Sequence, residues 1–122
     1  MNKEKLIRDL YARLPYDVKV LYDNKVFSID YVSSIYEEIK LDTCDNYTLD
    51  VLDVKPYLFP LSSMTEEQKM FLKQQNWCIA ISTSGTIETT VEGIDWLNKN
   101  HFDVNNLIPI GLAIDATGQN VY

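Results

Sequence analysis

The chain has 122 residues, 46% of them apolar and 24% charged, and a formal net charge of −7. This length and composition are typical of one folded domain over residues 1–122, and they exclude a chain that is disordered throughout. The acidic balance disfavours direct binding of DNA or RNA, because lysine and arginine supply most of the affinity for the phosphate backbone.

The apolar pattern predicts neither a membrane span nor a secretory signal. No stretch approaches the roughly 18 uncharged apolar residues of a membrane helix. The N-terminal stretch MNKEKLIRDL lacks the apolar core of a signal peptide. We therefore expect a cytoplasmic protein that does not associate with a membrane.

Cysteine and histidine are scarce in this chain. Cys44, Cys78 and His101 supply fewer than the four ligands that a structural zinc site needs. We expect two reduced thiols, with a disulfide or a redox role as the alternatives. No metal or other cofactor is expected.

The first predicted element is an amphipathic helix over residues 3–14, which Pro15 ends. From residue 17 the apolar period changes to two, and this predicts a four-stranded antiparallel meander over residues 17–54. The apolar stripe of the helix consists of Leu6, Ile7, Leu10, Tyr11 and Leu14.

The two hairpins of the meander have registers that follow from their turns. Asp23 and Asn24 favour a two-residue turn, which places Val20 opposite Phe27. The second hairpin is predicted with a three-residue loop at 44–46. Its predicted pairs are Ile39 with Val51, Leu41 with Leu49, Thr43 with Tyr47, and Lys40 with Asp50.

The segment 54–68 is predicted to leave the sheet. Pro56 and Pro60 lack the N–H group that a central strand must donate. The segment is also more apolar than a solvated loop, so we expect its aromatic residues to cover the core or to form a patch that binds a partner.

A helix over residues 65–75 is predicted from two overlapping capping boxes. A further hairpin is predicted after it, with a loop at 83–85 and with Ile81 opposite Ile87. The capping boxes pair Ser63 with Glu66 and Thr65 with Gln68, and the residues predicted to face inward are Met70, Phe71 and Leu72.

The C-terminal part is predicted to form a long helix, a short helix and an extended tail. A capping box of Thr89 and Glu92 begins the long helix, and Asp103 caps the short one. The fold class is therefore α+β: an N-terminal helix, a four-stranded antiparallel β-meander, a helix, a further hairpin and C-terminal helices. The core stripe of the long helix consists of Val91, Ile94 and Leu97.

Three blocks of the sequence carry a resemblance to a known family. They read KEKLIRDLYARLPYDVK, VKPYLFPLSSMTEEQ and DWLNKNHFDVNNLIPIGLAIDA. They resemble a family of small uncharacterised proteins encoded in gut Bacteroidetes genomes, often in prophage or other mobile regions. The family usually has Tyr-Arg-Gly where this chain has Val104, Asn105 and Asn106. The resemblance implies no activity and no catalytic residue. It implies a cytoplasmic accessory protein of a mobile element or its host.

The strongest candidate for a site is the polar set Asp95, Asn98, His101 and Asp103, and no catalytic residue is predicted. His101 is expected to favour its cationic form, because the end of the helix and Asp103 both stabilise positive charge. The alternative is that these four groups hydrogen-bond the irregular backbone between two helices.

The aromatic residues Tyr57, Phe59 and Trp96 complete the set of expected binding residues. They favour a small protein-binding or accessory module with an apolar patch bounded by carboxylates. One alternative is an acidic mimic of nucleic acid that inhibits a DNA-binding protein, which requires carboxylates along one strip. The other is a small enzyme with a site near His101, which requires a cleft. An enzyme is the less expected class.

Overall fold

The computed structural model describes residues 2–42, 48–81 and 87–122. Its class is α+β with an N-terminal helix, as predicted. Helix α1 (Asn2–Arg13) buries Leu6 and Leu10 completely, and Pro15 lies in the short 3-10 helix that follows. Tyr11 was predicted in the apolar stripe but is 43% exposed. The apolar face of α1 is therefore narrower than its sequence pattern indicates.

The described residues form two β-sheets. Their strands are β1 (Lys19–Tyr22), β2 (Lys25–Ser33), β3 (Glu38–Leu41), β4 (Leu49–Asp50), β5 (Lys55–Leu58), β6 (Cys78–Ile81), β7 (Ile87–Thr89) and β8 (Ile114–Asp115). The larger sheet has the order β4-β3-β2-β1-β5-β8, and β6 pairs with β7 separately. The first four strands are antiparallel neighbours, whereas β8 joins β5 in parallel. The meander is thus part of a larger mixed sheet.

The first hairpin confirms its predicted register. Val20 pairs with Phe27 across β1 and β2. Asp23 and Asn24 form the turn with φ angles of 51° and 59°, the left-handed conformation that such a two-residue turn requires.

The second hairpin has a different register from the one predicted. Ile39 pairs with Leu49, and Glu38 pairs with Asp50, so the pairing is shifted by two residues. The strand ends because the Asp50 carboxylate accepts a hydrogen bond from the Leu52 N–H, which caps a 3-10 helix that begins at Val51. The predicted loop at 44–46 and the Thr43–Tyr47 pair lie outside the described residues.

The second hairpin also changes the partner of Lys40. This residue was predicted to face Asp50, but it pairs with Tyr31 in the sheet. Its ammonium lies 3.7 Å from the Asp30 carboxylate. A register irregularity between Ile29 and Tyr31 in β2 accompanies this arrangement.

The prediction that segment 54–68 leaves the sheet is wrong for its first part. β5 lies between β1 and β8, with Val20 opposite Pro56 and Tyr57 opposite Ile114. The Leu58 carbonyl accepts a hydrogen bond from Ala116, on the β8 side. Because N–H and C=O groups alternate sides along a strand, Pro56 also directs its nitrogen to that side, before β8 begins to pair. The missing N–H of Pro56 therefore interrupts no ladder bond.

Helix α2 (Glu66–Gln74) begins at the second of the two predicted capping boxes. Thr65 is the N-cap, and its reciprocal hydrogen bonds with Gln68 are both present. Leu72 is fully buried, but Met70 and Phe71 are 57% and 38% exposed, so their predicted inward position is wrong. The helix packs on the core through a narrow face around Leu72, which leaves the preceding two residues at its margin.

Helix α3 (Val91–Lys99) is rotated relative to the prediction. Its N-cap is Thr90, whose hydroxyl accepts a hydrogen bond from the Gly93 N–H, and not Thr89. Leu97 is buried as predicted, whereas Val91 and Ile94 are 82% and 42% exposed. The buried face follows Gly93, since a Cβ atom there would overlap Thr89 and approach the Trp77 carbonyl oxygen at 3.0 Å.

The predicted hairpin after α2 forms, whereas the predicted short C-terminal helix does not. The hairpin of β6 and β7 forms, with Ile81 opposite Ile87, while its predicted loop at 83–85 lies outside the described residues. The predicted short helix after Asp103 does not form, because residues 104–105 and 107–111 are turns. These turns lead into β8.

Two apolar clusters fill the interior. The first lies between α1 and the large sheet, and the second includes the buried residues of α2 and α3. The first includes Leu6, Leu10, Val20, Ile39, Leu58 and Leu107, and the second includes Leu61, Met64, Leu72, Leu97 and Phe102. The segment that follows α3 touches both clusters, so the predicted polar site lies at their boundary.

Candidate functional site

The four polar residues predicted as a site have separate partners. Asp95 is exposed on α3 and accepts a hydrogen bond from the Tyr16 hydroxyl, which raises the pKa of Tyr16. Asn98 is 5% exposed, and its Oδ1 atom has no hydrogen-bond partner in the described structure. His101 contacts Tyr122, and Asp103 accepts hydrogen bonds from the backbone that follows it. The four side chains therefore do not form one hydrogen-bonded cluster among the described residues.

Asp103 has a structural role that the sequence alternative predicted. Its carboxylate accepts hydrogen bonds from the N–H groups of Leu107 at 2.8 Å and Ile108 at 2.9 Å. Its own N–H donates to the Phe59 carbonyl at 2.8 Å. The side chain therefore satisfies the irregular backbone after α3 and fastens this segment to the end of β5.

His101 lies beside Tyr122 rather than beside Asp103. The two rings stack with centroids 3.7 Å apart and planes inclined by 13°. Burial, with a smaller contribution from Arg13, lowers the pKa of His101 from 6.5 to about 4. The expectation of a cationic His101 is therefore wrong at neutral pH, because desolvation outweighs the attraction of the nearby carboxylate of Asp17.

The hydroxyl of Tyr122 joins two strands of the large sheet. It accepts a hydrogen bond from the Lys19 N–H at 2.9 Å and donates one to the Tyr57 carbonyl at 2.7 Å. The last paired residues of β1 and β5 are Val20 and Pro56, and Lys19 and Tyr57 are the next two residues that face each other. The hydroxyl thus replaces the next ladder bond, and burial of the ring raises the pKa of Tyr122.

A buried ion pair next to this region was missed in the sequence. Arg13 and Asp9 are fully buried on α1, and the Arg13 Nε atom lies 2.8 Å from Asp9 Oδ2. Arg13 also donates to the Phe102 carbonyl at 2.6 Å, and Asn105 donates to Asp9 at 2.8 Å. The spacing of four residues on a helix was the available signal. The pair connects α1 to the segment after α3.

His101 is poorly suited to act as a general base at neutral pH. A general base works best when its pKa lies near the working pH, and a pKa near 4 keeps His101 far from that condition at pH 7. Its Nδ1 atom is buried and has no hydrogen-bond partner in the described structure. No group of three or more histidine, cysteine or acidic residues in the described ranges has an arrangement that could hold a metal ion.

The three aromatic residues predicted for binding lie mostly inside the protein. Tyr57 is 7% exposed, which agrees with the alternative that the aromatic residues of segment 54–68 cover the core. Phe59 and Trp96 are half-buried and pack against Phe102 of the second cluster, with ring centroids 6.3 and 6.0 Å from its ring. These rings therefore stabilise the core and do not form an exposed patch together.

A different exposed apolar surface lies at the turn between β2 and β3. Ile35 and Tyr36 in this turn are 83% and 74% exposed. The adjoining groove, about 430 Å³ in volume, is lined by residues of α1 and of the turn, including Tyr11 and Glu37. We call Tyr11, Ile35, Tyr36 and this groove the turn face.

The backbone of this turn is held by specific hydrogen bonds. The Ser34 N–H donates to the Tyr11 hydroxyl at 3.1 Å, and the Tyr36 N–H donates to Ser33 Oγ at 3.2 Å. Glu37 has a left-handed φ of 53°, and its carbonyl accepts a hydrogen bond from Val51 at 3.1 Å. The two exposed apolar side chains therefore project from an ordered turn.

Carboxylates surround one side of the turn face. Lys3 lies 2.7 Å from Asp50, and this contact raises the pKa of Lys3. Glu37 and Asp53 act on the same ammonium in the same direction. Three acidic residues thus share one lysine, which leaves the local charge negative. The four-stranded meander predicted a turn near Ser33 and Ser34, but no sequence pattern indicated an exposed apolar surface there.

Comparisons with the profiles of known protein families, with curated proteins and with solved structures give no match. The helices were also compared with the length and apolar character of a membrane span. None within the described ranges has the length and apolar character needed to cross a membrane.

Proposed function

We propose that this chain is a small protein-binding module and that the turn face is its binding surface. The observation that carries this proposal is the pair Ile35 and Tyr36, which are largely exposed on a turn whose backbone is fixed by hydrogen bonds. Exposed apolar side chains cost solvation free energy, and a partner recovers this cost by covering them. An ordered turn also loses little conformational entropy on binding.

The charge around the turn face defines the partner. Four carboxylates and two cations lie in and around the groove: Glu4, Glu37, Asp50, Asp53, Lys3 and Arg8. A segment that carries lysine or arginine beside aromatic or branched aliphatic residues complements this surface. The net charge of −7 favours the approach of such a basic partner at low ionic strength. The resemblance of three sequence blocks supports a cytoplasmic accessory role for the module in a mobile element or its host.

The test is selection from a displayed library of random linear peptides, followed by affinity measurements on the selected sequences. We expect basic peptides with aromatic or aliphatic residues, and weaker binding as salt is raised. Ile35→Ser and Tyr36→Ser should each weaken binding about tenfold or more.

Val91→Ser is the matched control, because Val91 is 82% exposed on α3 and does not line the groove of the turn face. It should bind the selected peptides with the affinity of the wild type. Selection of neutral or acidic peptides, or equal affinity in all three variants, would contradict the proposal.

A further inference from the structure

A second groove lies between α1 and α3, and it shares Arg8 with the groove of the turn face. Its volume is about 430 Å³, which lies within the usual range of small-molecule sites. It is lined by residues of α1, β7, α3 and the segment after α3, including Arg8, Glu88, Ile94, Asn98 and Val104. The groove therefore combines opposite charges, a side-chain amide and an apolar wall.

The two charged residues of this groove have no ion-pair partner within residues 2–42, 48–81 and 87–122. The ion pairs of the described residues do not include Arg8 or Glu88, although both side chains line the same groove. A guanidinium and a carboxylate that are not paired with each other leave room for a molecule with both signs of charge between them.

Asn98 supplies the independent observation that points to a ligand. The residue is 5% exposed, and its buried Oδ1 atom accepts no hydrogen bond. Buried polar atoms without a partner are rare in folded proteins, and each carries a free-energy cost. A ligand donor removes this cost once the amide turns its oxygen toward the groove. The oxygen and nitrogen of the amide exchange places on rotation by about 180°, so either end of Asn98 can serve the groove.

Asn105 adds a second acceptor at the same place. Its Nδ2 atom donates to Asp9 Oδ1 at 2.8 Å, which fixes the orientation of the amide. The Asn105 Oδ1 atom accepts no hydrogen bond from the described residues and remains an acceptor. An ammonium group has three N–H donors, and the groove offers three acceptors: Glu88, Asn98 and Asn105.

We propose that this groove binds a free α-amino acid with an aliphatic side chain. Arg8 pairs with the ligand carboxylate, while Glu88 and the two asparagine oxygens hold the ammonium. The aliphatic side chain packs on Ile94 and Val104. This small-molecule site goes beyond the proposed function: Arg8 lines both grooves, but Ile35, Tyr36 and the carboxylates near them take no part in it.

The test is an NMR titration of the full chain with L-leucine. We expect saturable shifts at the groove, including the side-chain amide signals of Asn98, with a Kd of about 1 mM or tighter. Two probes each lack one charge of leucine: 4-methylpentanoate has no ammonium, and isopentylamine has no carboxylate. Each should bind at least about tenfold more weakly than leucine.

Variants test the protein side of the same contacts. Arg8→Gln and Glu88→Gln should each weaken leucine binding about tenfold, whereas the exposed α2 variants Lys73→Gln and Glu67→Gln should bind as the wild type does. The proposal is overturned if leucine gives no saturable shift, or if the Asn98 amide signals do not move. Equal binding of either probe, or unchanged affinity in the two groove variants, also overturns it.

Discussion

The neutral state of His101 links the stability of the protein to pH. Its pKa is about 4 in the folded chain and about 6.5 in an unfolded one. Between these values the unfolded chain binds more protons, so stability falls as the pH is lowered from about 6.5 to 4. We expect a loss of up to about 1 kcal/mol per pH unit, since the side chain is only half-buried.

Urea unfolding at a series of pH values in this window tests the prediction for His101. The variant His101→Asn removes the titrating group, and asparagine tolerates the left-handed φ of 64° at this position. The variant should show a flatter pH dependence than the wild type. Equal slopes would show that other groups cause the pH dependence. Asp17 and Asp50 have lowered pKa values, so they affect stability mainly below about pH 4, outside this window.

The ion pair of Asp9 and Arg13 is predicted to be the most sensitive polar contact of the core. Both side chains are fully buried, so removal of one charge leaves the other without compensation. Arg13→Met or Asp9→Asn should each lower the free energy of unfolding by about 3–5 kcal/mol. Denaturant titration measures this change.

The double variant Asp9→Leu with Arg13→Met provides the second half of this test. It should be less destabilised than the sum of the single variants, because it leaves no buried charge alone. Arg8→Met is the control, since Arg8 is exposed on the same helix and should change stability by less than about 0.5 kcal/mol. Additive losses in the double variant would contradict this account.

Sequence patterns indicated some roles at the residue scale and not others. Asp103 could be predicted as a backbone partner, because a capping residue acts on groups a few positions away in the chain. The contact of His101 with Tyr122 and the Arg13 hydrogen bond to Phe102 connect residues far apart in sequence. Such contacts depend on the completed fold, so no local pattern contains them.

At the scale of elements, Gly93 determines how α3 packs. Alanine usually stabilises a helix by about 1 kcal/mol relative to glycine. At Gly93, however, the added Cβ atom would overlap the Thr89 side chain and approach the Trp77 carbonyl. We expect Gly93→Ala to lower the free energy of unfolding by about 1–3 kcal/mol, because overlap in a packed contact outweighs the gain in propensity.

Thermal or urea unfolding measures the effect at Gly93. Val91→Ala on the exposed side of the same helix is the control and should change stability by less than about 0.5 kcal/mol. A more stable Gly93→Ala variant would show that α3 moves away from β7 at little cost.

Local rules predicted the elements of this fold better than their arrangement. The Asp23–Asn24 turn fixed the first hairpin through backbone conformation alone, and its register was correct. The second hairpin was wrong because the Asp50 side chain caps the next turn and ends the strand early. β5 was missed because the cost of Pro56 depends on which side of the strand its nitrogen faces, and that side depends on distant neighbours.

At the scale of the whole molecule, Tyr122 connects the last described residue to two strands of the large sheet. Tyr122→Phe removes the hydroxyl that bridges Lys19 and Tyr57 and leaves both backbone groups without this partner. We expect the free energy of unfolding to fall by about 1–3 kcal/mol. Hydrogen exchange should show faster exchange at the Lys19 amide.

Tyr36→Phe is the matched control for this change, because Tyr36 is 74% exposed and lies at the turn face. It removes the same hydroxyl from a solvated ring and should leave both measurements unchanged. If Tyr122→Phe also left the exchange rate at Lys19 unchanged, water would be an adequate substitute for the hydroxyl.

The parallel pairing of β5 with β8 has a consequence for synthesis on the ribosome. β5 ends at Leu58, and its partner strand ends at Asp115, 57 residues later. At about 5–20 residues per second, β5 waits for between about 3 and 11 s with an open edge. Nascent chains on neighbouring ribosomes can pair through such an edge. Chaperones that bind nascent chains are therefore most important during this interval, because they cover the open edge of β5. Slower translation after residue 58 should therefore increase aggregation of the newly made chain.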